Sequence, residues 1–443
     1  MRITQYWLSM AAAAALVLDT FTAIAALQQP QRLDKNVLLH DDINILASSP
    51  KQQLGRRGLP GIDRGEPIII DTDPGVDDVL NILLMLLSPE VDVRAITLVR
   101  GNADIENATR NGVTAFQTVY EQYKYFHQRI PPPHGLSVLA VGAGKALEPD
   151  YAMGPDGFMG KDAIGDIFTL GMYDPPIDWR TKAYESNGED GTFFRSTPRN
   201  GPKEILHQLK HTPPLTMTIL AVGPLTNLAT AYNIDPVTFS RAKRIVIMGG
   251  AVTSSGNITP YAEFNFADDP AAANIILGTS KGFDEATKDM HESRLKLIKK
   301  GKSAPMEVVL LPLDISQGNF VITKEDYFEQ IKKLDTPIGK LSTAMLDLVF
   351  VRKPEKHLEK NGEAMISLDS IAGVMLLDLV NGVFEKNWES KYFDLRVETR
   401  DSEYLGASLY HDTKNYSNVR VALNGDGDHY NELMMTRLFS DNI

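Results

Sequence analysis

The sequence predicts an α/β chain, a largely parallel central sheet flanked by helices on both faces. Three observations carry that prediction. Ile68, Ile69 and Ile70 form a β-branched run that reads as a buried strand, and an acidic turn leads from it into the apolar stretch Val79–Leu87, which reads as a helix. Val91–Val99 is a second strand, and the strand–helix–strand unit so completed makes its two strands parallel. Asp71, Asn102, Val222 and Gly249 all fall at or just past the C-terminal ends of apparent parallel strands, the edge at which open α/β sheets bind ligands.

The first strand ends in four carboxylates within eight residues, Asp71, Asp73, Asp77 and Asp78, with Pro74 and Gly75 forming a tight turn between them. Asp77 and Asp78 stand at the helix N-terminus, where the helix dipole favours negative charge. Four like charges at one strand end repel strongly unless something neutralises them, and a hard cation with oxygen ligands, Ca²⁺ or Mg²⁺, meets that need.

The remaining elements follow in order. Gly101-Asn102 turns out of the second strand, Asn107–Tyr125 is a helix, and Ser137–Val141 is a strand after the Pro131-Pro132-Pro133 loop. Tyr151–Gly165 is glycine-rich, but no lysine–serine pair follows at the spacing a phosphate loop needs. Ile167–Asn200 is polar and aromatic, contains Pro175-Pro176, and matches no periodic template. Leu215–Val222 is a strand, and Pro224 suits the first position of the helix after it. Arg244–Gly250 is another buried strand, and Asp268-Asp269-Pro270 opens a helix. Lys281–Lys302 is charge-dense and reads as a solvated helical insertion, near 281–305. Glu307–Asp314 is a strand, Ser342–Val351 a helix, and two strands close the chain around Leu395–Glu398 and Val419–Leu423. There are no internal repeats.

Composition narrows the function classes. At 443 residues, 43% hydrophobic and 23% charged, the chain has the profile of a soluble globular protein. A net charge of −12 argues against nucleic acid as its main partner. With no cysteine, disulfides, thiolate metal sites and cysteine nucleophiles are excluded. Arg2, the alanine-rich apolar run Leu8–Leu18 and the small residues Ala23-Ile24-Ala25 read as a signal peptide over 1–26, too short to span a bilayer comfortably. Residues 27–65 read as a flexible polar leader and 66–443 as the folded part. The expected location is therefore secreted or the secretory-pathway lumen, and cytoplasmic if the leader is not a signal peptide. Three sequons are present, at Asn107, Asn257 and Asn415.

Four separated segments resemble one family in its motif order. Asp71–Asp78 (DTDPGVDD), Gly223–Ala229 (GPLTNLA), Gly256–Asn265 (GNITPYAEFN) and Ile366–Leu377 (ISLDSIAGVMLL) are similar to the motifs of the inosine–uridine nucleoside hydrolases, and the resemblance runs from about Glu66 to near the C-terminus. It implies the nucleoside hydrolase fold and hydrolysis of the N-glycosidic bond of ribonucleosides to free base and ribose. It implies Ca²⁺ held by Asp73, Asp78, Asp369 and the Val222 carbonyl, with Asp73 as general base toward a Ca²⁺-bound water. Asp77, Asn102, Asn257, Glu263 and Asn265 then hold the sugar, and Asp71 supports the metal shell. Against the family's usual length, 166–200 is an expanded surface loop. The expected partners are a small nucleoside and a second copy of the chain, with no nucleic acid and no membrane.

The chain departs from the family in two places. Met153, in the glycine-rich loop, and Leu368, before Asp369, stand where many members have histidine. Neither can donate a proton to the departing base, which leaves Asp156, Lys161 and Tyr261 as nearby alternatives. Two other readings are a Mg²⁺-dependent phosphatase of the haloacid-dehalogenase type, from Asp-x-Asp at a strand end, and a non-catalytic ribose- or nucleoside-binding protein on the same scaffold. The phosphatase reading accounts for DTD but not for GPLTNLA or GNITPYAEFN. The complete set of metal and ribose positions argues against the binding protein.

Overall fold

The computed structural model describes residues 65–126, 137–148, 157–171, 194–283, 290–317, 319–358, 362–411 and 418–440. The signal peptide and leader, the triple-proline loop, Met153, Asp156 and the Asn415 sequon lie outside the described residues. So does most of the stretch read as an expanded loop.

Ten strands form the main sheet: β1 Glu66–Thr72, β2 Val91–Leu98, β3 Ser137–Val141, β4 Phe194–Ser196, β5 Thr218–Ala221, β6 Ile245–Met248, β7 Val308–Leu311, β10 Trp388–Val397, β11 Ser408–His411 and β12 Val419–Gly425. A separate two-stranded sheet pairs β8 Ile322–Thr323 with β9 Ala364–Met365. The order of the main sheet is β11-β10-β12-β7-β6-β5-β1-β2-β3-β4. All pairings from β4 through to β12 are parallel, and only β10 and β11 at one edge run antiparallel to their neighbours. The sheet is thus α/β and mostly parallel, as the βαβ reading requires. The chain winds outward from β1 through β4, then returns to place β5 on the other side of β1. That reversal makes the crevice between the ends of β1 and β5 a topological switch point, where such sheets bind ligands.

Period-2 alternation sorts β1 onto two cores. Ile68 and Ile70 pack with Leu80, Leu83 and Leu376 on one face, while Ile69 packs with Leu228, Ala229 and Ile276 on the other. Because both faces are covered, the strand can be isoleucine throughout.

Several bounds differ from the sequence reading for local reasons. The first helix is Val76–Leu87, starting in the acidic turn itself because Asp78 accepts the Gly75 N–H at 2.9 Å. The next is Ile105–Tyr125, capped by Asp104, which accepts the Asn107 N–H at 2.8 Å. Pro224 lies before the helix Thr226–Ile234 rather than at its first position. Gly201–His211 is a helix that the sequence reading missed, although Asn200 caps it and Pro202 stands in its first turn. The helix read over Ser342–Val351 runs from Pro337 to Asp347 and continues as a π turn over Leu348–Arg352.

Within the described residues, the stretches read as a surface loop and as a solvated helix are each partly buried. In 166–200, Phe194–Ser196 is an edge strand parallel to β3, and Phe194 is buried with its ring 4.8 Å from that of Phe116. In 281–305 there is a helix, His291–Lys299, but it is not wholly solvated. Arg294 is buried and donates to the carbonyls of Lys243 (2.8 Å) and Ala242 (2.7 Å). Guanidinium hydrogen bonds to orphan loop carbonyls explain how a charged side chain tolerates that position.

Candidate active site

The acidic turn sits at the C-terminal end of β1, inside the switch-point crevice. One oxygen from each of Asp77, Asp78 and Asp369 lies within 4.8 Å of the other two. Asp369 comes from the first turn of the helix Leu368–Asn381, which packs against Val76–Leu87, so two helix N-termini converge on the cluster. Asp78 is fixed from three sides: it accepts from the Thr72 hydroxyl, from Gly75 N–H, and from Asn102 Nδ2 at 3.1 Å.

Asp73 lies beside this group, fully buried. Its Oδ2 accepts the Asn102 N–H at 2.6 Å, and its Oδ1 has no hydrogen-bond partner among the described residues. Two glycines make its room. A Cβ on Gly101 would lie 2.0 Å from Asp73 Oδ2, and one on Gly223 2.5 Å from Oδ1. Asp71, one pleat back, accepts from the Thr97 hydroxyl and from Asn227 Nδ2 at 2.8 Å, and its Oδ2 is likewise buried and without a partner among the described residues.

Burial and mutual repulsion push these carboxyls up. Asp71 is raised to about 7 by burial. Asp77 is raised to about 7 by burial and then by the charge of Asp78. Burial, reinforced by neighbouring carboxylates, holds Asp73 and Asp369 well above the usual carboxylate range. Buried, crowded and partly unpartnered anions favour a bound cation, and the donors here are all hard oxygens of the kind Ca²⁺ and Mg²⁺ take. The residues present therefore fit a divalent metal ion.

The other predicted positions are placed as follows. The Val222 carbonyl, at the end of β5, accepts Asn265 Nδ2 at 3.0 Å, and the same amide nitrogen lies 3.3 Å from the Met248 carbonyl at the end of β6. Glu263 is buried and caps the short helix Phe264–Asp268. It accepts N–H groups from Asn265 (2.8 Å), Gly250 (2.8 Å) and Phe266 (3.1 Å), and burial raises it to about 6. Asn257 is exposed, and its Oδ1 accepts the Phe264 N–H at 3.0 Å. The structure thus brings Asp71, Asp73, Asp77, Asp78, Asp369 and Asn102 together, with Val222 at the end of the adjoining strand and Asn265 reaching it from the short helix. The three-carboxylate cluster contains Asp77, which the resemblance assigned to the sugar, while Asp73 stands next to it. Leu368 is half-buried and packs into the core beside this cluster. Lys161 is exposed, and Tyr261, 40% exposed, stacks on Tyr404 with centroids 4.5 Å apart.

The family model for inosine-uridine preferring nucleoside hydrolases matches residues 68–432. The chain belongs to that family. An uncharacterized Schizosaccharomyces pombe protein is 26% identical over 84% of this family member and 98% of its own length. Uridine nucleosidase 1 of Arabidopsis thaliana is 34% identical, over 48% of this chain and 54% of its own; the match thus spans about half the length of that named enzyme. Among solved structures, the purine-preferring ribonucleoside hydrolase of Gardnerella vaginalis superposes with a TM-score of 0.63 at 20% identity, covering 84% of this chain and 98% of that one, which shows a shared fold.

Several residues at this family site escaped the sequence reading. Asn227, inside GPLTNLA, donates to Asp71 and to the Leu98 carbonyl (2.9 Å) and accepts the Ala143 N–H (2.8 Å), pinning three strand ends together. Arg100 donates to the buried Asp268 at 2.7 Å. Tyr430 is fully buried, and its phenol is raised by burial and by the charges of Asp77 and Asp369, beside Ser367 and Ser370. Asn111 is a fully buried amide on the inner face of Ile105–Tyr125. A polar side chain on an apolar helical stripe was the signal that could have found it.

Proposed function

We propose that the protein hydrolyses the N-glycosidic bond of ribonucleosides, releasing base and ribose, with Ca²⁺ as its metal. The observation that carries this reading is Asp73, buried with an Oδ1 that has no partner among the described residues, its carboxyl pushed up by burial and by the charge of Asp78 in the three-carboxylate cluster at the sheet's switch point. Asp78, Asp369, Asp73 and the Val222 carbonyl would hold the ion, and Asp77, with an oxygen within 4.8 Å of those of Asp78 and Asp369, is close enough to contribute. When bound, Ca²⁺ supplies positive charge and Lewis acidity at the sugar hydroxyls and at the attacking water.

The residues do the rest. Water attacks C1′ as the bond to the base nitrogen breaks, and the bonding pair leaves with the base through a transition state with oxocarbenium character. Asp73 Oδ1 takes the water's proton, while Asn102 N–H holds the other oxygen and so fixes the carboxylate plane. Asp77, Asn102, Asn257, Glu263 and Asn265 bind the sugar, the last two from the start of the short helix Phe264–Asp268, where their side chains hold backbone groups in place. Asp71, locked by Thr97 and Asn227, supports the shell from behind.

Incubating the purified protein with inosine, uridine and their congeners and measuring free ribose tests the reading. Ribose should form with Ca²⁺, stop on chelation and return on re-addition of the ion. Full turnover in metal-free protein would overturn the mechanism, and binding of nucleosides without ribose release would leave the non-catalytic reading in its place. We also propose secretion, on the leader sequence alone, and a mature N-terminus near Ala26 would support it. Unprocessed protein in the cytosol would remove it.

A further inference from the structure

Residues 157–171 form a contorted segment alongside the acidic turn. Four of its glycines have positive φ (Gly157 67°, Gly160 93°, Gly165 88°, Gly171 66°), and so do two non-glycine residues, Ala163 at 62° and Asp166 at 61°. Side chains disfavour that region, so the conformation persists only if surrounding contacts over-determine it. They do. The carboxylate of Asp162 accepts the N–H groups of Ile164 (3.0 Å), Asp166 (2.8 Å) and Phe168 (3.1 Å), folding the segment on itself.

Two side chains tie it to the rest of the molecule. Asn111 Nδ2 donates to the Asp162 carbonyl and to the Pro74 carbonyl, each at 2.7 Å. Pro74 stands between Asp73 and the helix that carries Asp77 and Asp78, so one buried amide joins the segment to the catalytic turn. Both N–H bonds of that amide are used, and its Oδ1 has no partner among the described residues. From the other side Arg352, aimed by the π turn Leu348–Arg352, donates to the Gly165 carbonyl and lies 3.9 Å from Asp166.

We propose that Asn111 and Arg352 are positioning residues for the hydrolase: together they hold segment 157–171 against the acidic turn and so set the placement of Asp73, Asp77 and Asp78. The inference rests on the hydrolase reading for its kinetic consequence but not for its structural one. Loosening the turn misplaces the base and the ligands but, of the five sugar-binding residues, moves only Asp77, the other four standing on other segments. A misplacement of about 1 Å can lower turnover by about a hundredfold, so kcat should fall and KM should move little.

The test compares Asn111→Asp, Arg352→Ala and a control, Val113→Ala, with the unaltered chain, all in Ca²⁺. Asp keeps the size of Asn but offers at most one donor, so it cannot serve both carbonyls. Val113 is buried on the same helix and touches only the core, so its truncation should lower the melting temperature and leave kcat unchanged. In Asn111→Asp, amide hydrogen exchange should rise about tenfold or more, and together, in 157–171 and in 72–79, with β5 and β6 unaffected. Its kcat for ribose release should fall by about tenfold to a hundredfold with KM within about threefold. Should Asn111→Asp not fold, Arg352→Ala decides by the same criteria, its side chain being one-third exposed and dispensable for the core. Exchange that rises in 157–171 alone, or kcat within about twofold of the unaltered chain, would overturn the proposal. Exchange needs no turnover, so a failure of the hydrolase reading shows separately, as no ribose from the unaltered chain.

Discussion

A buried carboxylate with one oxygen held and the other free is poised to accept a proton in one direction only. Asp73 is such a group, and Asp73→Asn keeps its shape and its contact to the Asn102 N–H while losing the base. Turnover should fall by at least about a hundredfold, and binding of a ribose-like inhibitor far less, which steady-state kinetics and calorimetry can separate. Gly101→Ala acts on the same atom sterically, since its Cβ would lie 2.0 Å from Oδ2; it should abolish most activity and lower the melting temperature. The leaving-group side is poorer. Leu368 has no proton to give, so cleavage should depend on the quality of the leaving group, and p-nitrophenyl riboside should be cleaved much faster than inosine or uridine. Equal rates on all three would show that another residue supplies the acid.

At the scale of elements, the site depends on helix N-termini and strand ends tied by single side chains. Asp269 caps the helix Pro270–Gly278 through the Ala272 N–H (3.0 Å) and also accepts from Thr226 Oγ1 (2.6 Å) and the Leu147 N–H (2.8 Å). It thereby links the segment after β3 to two helices of the opposite half. Asp269→Ala removes a cap and strands two buried donors, so stability measured by denaturant should fall by about 2–3 kcal/mol. Sequence patterning found most of these elements because their apolar periods and caps are local. It missed β4 and the helix Gly201–His211 because a three-residue strand shows almost no period, and the helix stands among polar residues.

For the whole molecule, crowded acids make stability depend on pH and on metal together. Asp71 and Asp77 have folded pKa values near 7 against 3.8 in the unfolded chain. Between those values the folded state keeps protons that the unfolded state has released. Stability of the metal-free protein should therefore fall as pH rises from about 4 to about 7, by up to about 1.4 kcal/mol per pH for each group. A divalent ion competes with those protons, so the rise in melting temperature on adding Ca²⁺ should grow across the same window. A melting temperature of the metal-free protein that climbs from pH 5 to pH 7.5 would contradict this account. No helix among the described residues is long and apolar enough to cross a membrane.

What the sequence determined by itself was whatever short-range chemistry dictates: the βαβ start, the parallel sheet, the acidic turn and the motif order that names the family. Asp71, Asp73, Asp77 and Asp78 were legible because they are neighbours in the chain. The tertiary structure alone decided which distant groups meet them. Asp369 closes the cluster from nearly three hundred residues away, Asn227 pins Asp71 across two strands, and Asn111 reaches both Pro74 and Asp162. Glu263 and Asn102 look like sugar ligands in a motif, yet in the fold they also accept or donate the hydrogen bonds that hold the loop and the carboxylates in place. The physical reason is burial. A side chain's charge state and partners depend on what surrounds it in space, and that environment is assembled only when the sheet brings the ends of β1, β2 and β5 together.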